Sequence, residues 1–154
     1  MKYASTLLAV SNIDKSKKWY ADVLGLKVVA DFGANATLTG GVVLQTLDTW
    51  KEFIRTDIVL LPNNSCEIYF EEENMDAFWN HLKSFDICYL HKLFEHRWGQ
   101  RVVRFYDPDR HIIEVGEQLD AVIKRFISQG MSVEEVAIRM DIPVDFVNSC
   151  LKNN

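Results

Sequence analysis

The chain has 154 residues, 48% of them hydrophobic, with a formal net charge of −5 at pH 7. This length and composition allow one buried core with an added segment, and the acidic balance disfavours nucleic acid, whose phosphates bind clustered lysine and arginine. No apolar run approaches the roughly 18 residues of a membrane span and no secretory segment follows the N-terminus, so we expect a cytoplasmic protein that does not enter membranes.

The first part of the chain, about residues 1–50, predicts one β-α-β-β-β module. Residues 3–10 alternate in polarity as a strand does, and Asn12 or Asp14 can cap the helix that follows. Gly25 predicts a left-handed end for that helix. Its buried stripe is predicted at helical spacing: Trp19, Tyr20, Val23 and Leu24. Three further strands are predicted at 27–32, 36–39 and 41–47.

A second module is predicted at about residues 65–117, after a linker at 47–65 whose clearest break is Leu61-Pro62-Asn63-Asn64. A strand at 66–70 precedes a helix that Asn74 caps. The predicted buried stripe of this helix is Met75, Phe78, Trp79 and Leu82. Three more strands are predicted at 87–90, 100–106 and 111–116.

Residues 118–154 are predicted to form a helical C-terminal extension. One helix runs over about 117–129, a capping box at Ser132 begins a second that ends at Met140, and a third covers 144–151. The last two helices resemble a helix-turn-helix, which raises a ligand-responsive regulator of DNA as an alternative. The acidic side chains of this segment oppose DNA binding, so a packing or dimerisation role is preferred.

The turn Asp107-Pro108-Asp109 joins two strands of alternating polarity. Because side chains alternate along a strand, Glu114 lies on the face opposite Ile113 and Val115. This hairpin resembles the last strand pair of the glyoxalase / bleomycin-resistance / dioxygenase superfamily (vicinal oxygen chelate fold), whose members carry an Asp-Pro-Asp-Gly turn followed by a strand glutamate.

A second segment, residues 10–26, is similar to that family's other hallmark. It carries the aromatic pair Trp19-Tyr20 and ends in Leu24-Gly25-Leu26. Together the motifs span about residues 3–117, and the resemblance implies an α+β fold. Two β-α-β-β-β modules would form a cupped mixed sheet within a glyoxalase-like domain at 1–117, followed by the C-terminal helices.

Alternation along the predicted strands places five polar side chains in the cup: Ser5, Gln45, Glu67, Arg104 and Glu114. Tyr69 and Trp98 are predicted to line it. In the family that the chain resembles, a divalent metal is held at four positions, which here are Ser5, Gln45, Glu67 and Glu114. Only Glu114 is the usual residue and no imidazole is present, so the predicted metal ligands are the oxygens of Gln45, Glu67 and Glu114.

The alternative needs no metal, because Arg104 can supply the positive charge between Glu67 and Glu114. His91 and His96 flank a segment that is predicted to fold over the mouth of the cup, whereas His111 is predicted to close the hairpin. The three cysteines are predicted to be reduced thiols, with Cys66 and Cys88 buried as small hydrophobic residues.

Two further functional hypotheses stand beside the regulator. The first is a lyase or isomerase acting on a small oxygenated carbonyl compound, with Glu114 and Glu67 as general base or metal ligand. The second is a metal-free protein that binds a small molecule, similar to the bleomycin-sequestering branch of the family, in which acidic residues would suit a cationic ligand. A homodimer is expected in either case.

Overall fold

A computed structural model describes residues 1–152 and shows two four-stranded sheets with six α-helices among those residues. The chain separates into two compact units, and each is built from two separate stretches of the sequence. Unit 1 comprises residues 1–67 and 106–112, and unit 2 comprises residues 68–105 and the chain from 113 onward. No helix within 1–152 has both the length and the apolar character that crossing a membrane requires.

The first sheet has the strand order β1-β4-β3-β2, with β1 parallel to β4 and the other pairs antiparallel. Its elements are β1 (Thr6–Val10), α1 (Ile13–Leu24), β2 (Val28–Asp31), β3 (Asn35–Leu38), β4 (Val42–Thr46) and α2 (Leu47–Ile54). The predicted β-α-β-β-β order is therefore present.

Helix α1 begins and ends as its sequence predicts. The Asn12 side chain accepts a hydrogen bond from the backbone N–H of Lys15 at 2.9 Å, and Gly25 takes a φ of 68°. Tyr20 and Val23 are buried, whereas Trp19 and Leu24, the other members of the predicted stripe, are half-buried.

The predicted linker at 47–65 contains a helix in its first half, α2, which the sequence analysis did not predict. Leu47, Trp50 and Ile54 have the spacing of one helix face, but none of the side chains of α2 is buried. Polar residues between them obscure that spacing in the sequence. The Leu61-Pro62-Asn63-Asn64 stretch lies outside any helix or strand.

The second sheet has the order β5-β8-β7-β6. Its elements are β5 (Glu67–Glu72), α3 (Met75–Leu82), β6 (Tyr89–Glu95), β7 (Arg101–Tyr106) and β8 (Ile112–Glu117). Asn74 caps α3 by accepting from the Ala77 N–H at 3.0 Å, as predicted. The α+β fold class with two β-α-β-β-β modules and C-terminal helices is confirmed.

Two smaller predictions are wrong. Residues 92–95 do not fold over a cup, because they continue strand β6, which pairs antiparallel with β7. Cys66 and Cys88 are exposed, not buried. Both lie just outside strand ends, where a small apolar side chain has no sheet face to cover it.

Three helices form the C-terminal extension: α4 (Leu119–Ser128), α5 (Val133–Met140) and α6 (Val144–Lys152). The Ser132 hydroxyl accepts from the Glu135 N–H, and the Glu135 carboxylate accepts from the Ser132 N–H, which is the predicted capping box. The helices share a hydrophobic core of their own. Its buried residues are Val122, Ile123, Phe126, Val136, Ala137, Met140 and Val147.

The hairpin tip is built around the buried carboxylate of Asp107, which accepts backbone N–H bonds from Asp109 and His111 at 2.9 and 2.8 Å. Its second oxygen accepts from the Tyr20 hydroxyl and lies 2.9 Å from the imidazole Nδ1 of His111, so His111 closes the hairpin as predicted. Burial and the Asp107 charge raise the pKa of Tyr20 well above its ordinary value. Arg110 takes a left-handed φ of 72° at the position where the family turn has glycine.

Candidate ligand-binding surface

An ion pair between Arg104 and Glu114 occupies the middle of the second sheet. Arg104 lies on β7 and Glu114 on β8, which are neighbouring inner strands, and the guanidinium Nη2 contacts the carboxylate Oε2. The Glu114 side chain is only 8% exposed. Arg104 also places Nη1 3.2 Å from the Nε2 of His91 on β6. The carboxylate therefore has a fixed cationic neighbour in a largely water-excluded position.

A glycine allows two polar side chains to lie across β8 beside this pair. Gly116 follows Glu114 by two residues and so shares its face, and a Cβ added there would lie 2.9 Å from the Tyr69 ring and 3.2 Å from the Gln100 amide nitrogen. The Gln100 amide donates to the Tyr69 hydroxyl at 3.1 Å. Trp98 extends this series of hydrogen bonds, because its indole N–H donates to the Gln100 Oε1 at 3.3 Å.

The pKa of Tyr69 is raised, chiefly because burial disfavours the phenolate, so the hydroxyl stays protonated at neutral pH. Tyr69 nevertheless exposes 45% of its surface. It therefore offers solvent both a ring and a neutral hydroxyl group.

Aromatic rings continue from this point along the end of β6 and the turn after it. The rings of His91 and Phe94 lie 6.3 Å apart, those of Phe94 and His96 lie 5.2 Å apart, and His96 stacks on Trp98 at 4.1 Å with an interplanar angle of 7°. Burial lowers the pKa of His96, and the electrostatic influence of Arg104 and His91 acts in the same direction, which favours the neutral imidazole. Phe94 is 54% exposed.

We call these neighbouring side chains of unit 2 the aromatic surface. Its members are Tyr69, His91, Phe94, His96, Trp98, Gln100, Arg104 and Glu114. Chemically it offers several flat ring faces beside one guanidinium and one carboxylate whose charges balance. Such a surface suits a planar ligand that carries hydrogen-bonding groups, because rings stack and the ion pair supplies a donor and an acceptor.

The remaining candidate residues have different surroundings. Ser5 is exposed and precedes β1, and Glu67 is exposed at the first position of β5. Gln45 is buried on β4. Its Oε1 accepts from the Asn35 amide at 2.8 Å and its Nε2 donates to the Thr49 hydroxyl. The Gln45 amide is therefore satisfied inside unit 1.

The donors present do not fit a metal centre. Glu114 already faces the Arg104 guanidinium, which would repel a second cation, and the Gln45 oxygen is engaged by Asn35. Ser5 and Gln45 are weak neutral donors, and the four positions contribute no imidazole. Within residues 1–152, no group of three or more His, Cys, Asp or Glu side chains is arranged to hold an ion.

Sequence reasoning predicted Tyr69, Trp98, Arg104 and Glu114 as site residues. It also placed His91 and His96 beside the mouth of the cup, but it did not predict a role for Phe94. The signal that was present is the alternation of Phe94, His96 and Trp98, which repeats every two residues. Gln100 and Gly116 carry no comparable signal, because their role depends on which side chain crosses from the neighbouring strand.

A family model described as "glyoxalase-like domain" matches residues 3–120. No curated protein matches the sequence. Among solved structures, a protein of unknown function from Agrobacterium tumefaciens is 36% identical, with a TM-score of 0.71 over 77% of this chain and 95% of that one.

Two more distant structures share the fold. One is lactoylglutathione lyase from Agrobacterium tumefaciens, at 22% identity and a TM-score of 0.59 over 76% of this chain and 93% of that one. The other is a glyoxalase/bleomycin resistance protein/dioxygenase from Nocardioides, at 16% identity and a TM-score of 0.61 over 76% and 83%. The family match ends at residue 120, so most of the helical extension lies beyond it.

Proposed function

This chain belongs to the glyoxalase-like domain family, and on that premise we propose that it binds a planar small molecule on the aromatic surface without a metal ion. The observation that carries the proposal is the Arg104–Glu114 ion pair. The position that could serve as a metal ligand or base is already neutralised by the protein's own cation.

The surroundings of the ion pair support a ligand with a flat ring system. Phe94 and Tyr69 expose about half of their surface, and the His96–Trp98 stack continues the ring faces toward the turn. Exposed aromatic side chains gathered on one sheet face indicate a binding surface. Because Arg104 balances Glu114, the surface does not favour a cation as strongly as the sequence alone suggests.

Binding is tested with bleomycin, named in the description of the Nocardioides neighbour, together with a panel of planar heteroaromatic compounds. Tryptophan fluorescence and thermal shift are measured with and without EDTA. We expect at least one compound to quench fluorescence and raise the melting temperature to the same extent in both conditions. A ligand response that EDTA abolishes, together with equimolar bound metal in the purified protein, would contradict the proposal.

Matched variants locate the ligand. Trp98→Phe should remove most of the quenching, whereas Trp50→Phe, a change in α2 of unit 1, should leave it intact. Phe94→Ala should weaken binding several-fold, because one stacking face is lost. Phe32→Ala is the control, since Phe32 is also an exposed phenylalanine, at 77%, but lies in unit 1. Equal effects of the two alanine substitutions would place the ligand elsewhere.

A lyase or isomerase is the second candidate, and the same ion pair favours it in a different way. A carboxylate beside a guanidinium can take a proton from the carbon next to a carbonyl while the guanidinium stabilises the oxyanion that forms. Glu114 would be the base, and the exposed Glu67 stays a predicted participant. Turnover of 2-oxo aldehydes with glutathione, abolished by Glu114→Gln but not by Phe94→Ala, would establish this candidate over the first.

We also propose, from the family alone, that the protein is a cytoplasmic homodimer. Light scattering of the purified chain measures the mass directly. A monomer of 17.8 kDa at micromolar concentration would contradict the dimer.

A further inference from the structure

A cavity lies beside the turn that carries Trp98, in unit 2. It is a partly open cavity with a volume of about 430 Å³, between the β6–β7 turn and helix α5 of the extension. Its lining residues are Arg97, Trp98, Ile138, Arg139, Met140 and Asp141. A volume of this size is within the range that holds a small organic ligand.

Both walls of this cavity are held in place by helix α4. Gly99 takes a φ of 94°, and a Cβ added there would lie 2.2 Å from the Phe126 ring, so the turn packs directly on the helix. The Arg125 guanidinium donates to the Gly99 carbonyl at 2.5 Å. On the other side, Met140 belongs to the core that α5 shares with Phe126. The cavity is thus preformed, which lowers the entropic cost of filling it.

The chemistry of the lining defines a ligand class. Trp98, Ile138 and Met140 provide apolar surface, while Arg97 and Arg139 contribute two guanidinium groups against the single carboxylate of Asp141. Arg139 has a long contact of 3.6 Å with Glu95, and the Arg97 side chain forms no ion pair or hydrogen bond with residues 1–152. An available guanidinium beside an indole ring is suited to a carboxylate on an aromatic ring.

We propose that this cavity is a binding site for small aromatic carboxylates, formed by the helical extension and the β6–β7 turn. The site adjoins the aromatic surface through Trp98 but does not depend on the Arg104–Glu114 pair. Its α5 wall lies beyond residue 120, where the family match ends, so the site is particular to chains that carry this extension.

Isothermal titration calorimetry with 2-naphthoate at pH 7 tests the proposal. We expect saturable binding, and roughly tenfold weaker binding of the uncharged 2-naphthol, because one charge-assisted contact contributes on the order of a tenfold change in affinity. Arg97→Ala should weaken naphthoate binding to a similar extent. Lys92→Ala, which removes one exposed positive charge from β6 without touching the cavity lining, should have little effect. Absence of heat at about 1 mM ligand overturns the proposal.

Substitutions of Ile138 by a negative and by a positive side chain provide a further control. It is 81% exposed, so replacing it should not disturb folding. Ile138→Glu should weaken naphthoate binding and Ile138→Lys should preserve or strengthen it, because only the charge at the rim differs. Equal effects of the two, or loss in Ile138→Glu with no change in Arg97→Ala, would show that the ligand is not in this cavity. Phe94→Ala should leave naphthoate binding unchanged, so this test and that of the aromatic surface can fail independently.

Discussion

The buried carboxylate of Glu117 gives a sharp test of how the extension is attached to the second sheet. Its side chain is 2% exposed, and each of its oxygens accepts one bond from the guanidinium of Arg101 and one from the guanidinium of Arg125. Those four contacts measure 2.7 to 3.2 Å. Arg101 belongs to β7 and Arg125 to α4, so a single carboxylate joins sheet and extension.

We predict that Glu117→Gln lowers the free energy of unfolding by about 2–4 kcal/mol at pH 7, because the amide nitrogen replaces one oxygen and faces two guanidinium donors. This loss of unfolding free energy is smaller than the loss expected when a buried charge is left with no partner. Arg101 keeps Asp76 at 2.9 Å and Arg125 keeps the Gly99 carbonyl, so neither guanidinium is left without a partner.

The effect should depend on pH in a defined direction. Burial alone would raise the pKa of Glu117, but the hydrogen bonds from Arg101 and Arg125 hold it below its ordinary value of 4.5. A carboxyl with a lowered folded-state pKa stabilises the fold above its unfolded-state pKa, and that contribution is lost as pH falls through the folded-state value. The difference between the wild type and Glu117→Gln should therefore be constant near neutral pH and shrink below about pH 4.5.

Urea unfolding of the wild type and of Glu117→Gln, followed by far-UV circular dichroism at pH 3.5, 5 and 7, measures the loss of unfolding free energy and its dependence on pH. Asp76→Asn is the matched control, since Asp76 contacts the same Arg101 but is 75% exposed, and its loss should cost less than about 1 kcal/mol. A cost for Glu117→Gln below about 1 kcal/mol at pH 7, or a difference that does not change with pH, would refute the reasoning.

Two further substitutions test the packing. Tyr20→Phe should cost about 1–2 kcal/mol in urea unfolding, because the buried Asp107 carboxylate loses a hydroxyl donor at 2.9 Å; an unchanged midpoint would show that this bond contributes no net stability. Gly99→Ala should cost about 2–4 kcal/mol from the clash with Phe126 and the left-handed backbone, whereas Gly130→Ala, at a φ of 93° with open space around its Cβ, should cost only about 1 kcal/mol. Equal costs for the two glycines would mean that the contact with Phe126 is relieved without strain.

The local motifs of this chain could be predicted from sequence because each depends on residues close together in it. Asn12 and Gly25 delimit α1, Ser132 begins α5 with a capping box, and the Asp107-Pro108-Asp109 turn forms a hairpin, all through contacts within about four residues. Helix α2 was missed because polar residues between Leu47, Trp50 and Ile54 obscure the helical spacing of these three apolar residues.

Side-chain partners were decided by the tertiary structure. Alternation placed Arg104 and Glu114 on one face, but only the strand order β5-β8-β7-β6 makes them neighbours on inner strands. The roles of two glycines were also decided by the tertiary structure. The absence of a side chain at Gly116 matters only because Tyr69 and Gln100 lie over this position, and at Gly99 only because the Phe126 ring of α4 packs against it. The sequence by itself determined the order of the elements in the two modules, because periodicity and capping are local properties. Which charges pair, and which rings stack, depends on contacts between residues far apart in the chain.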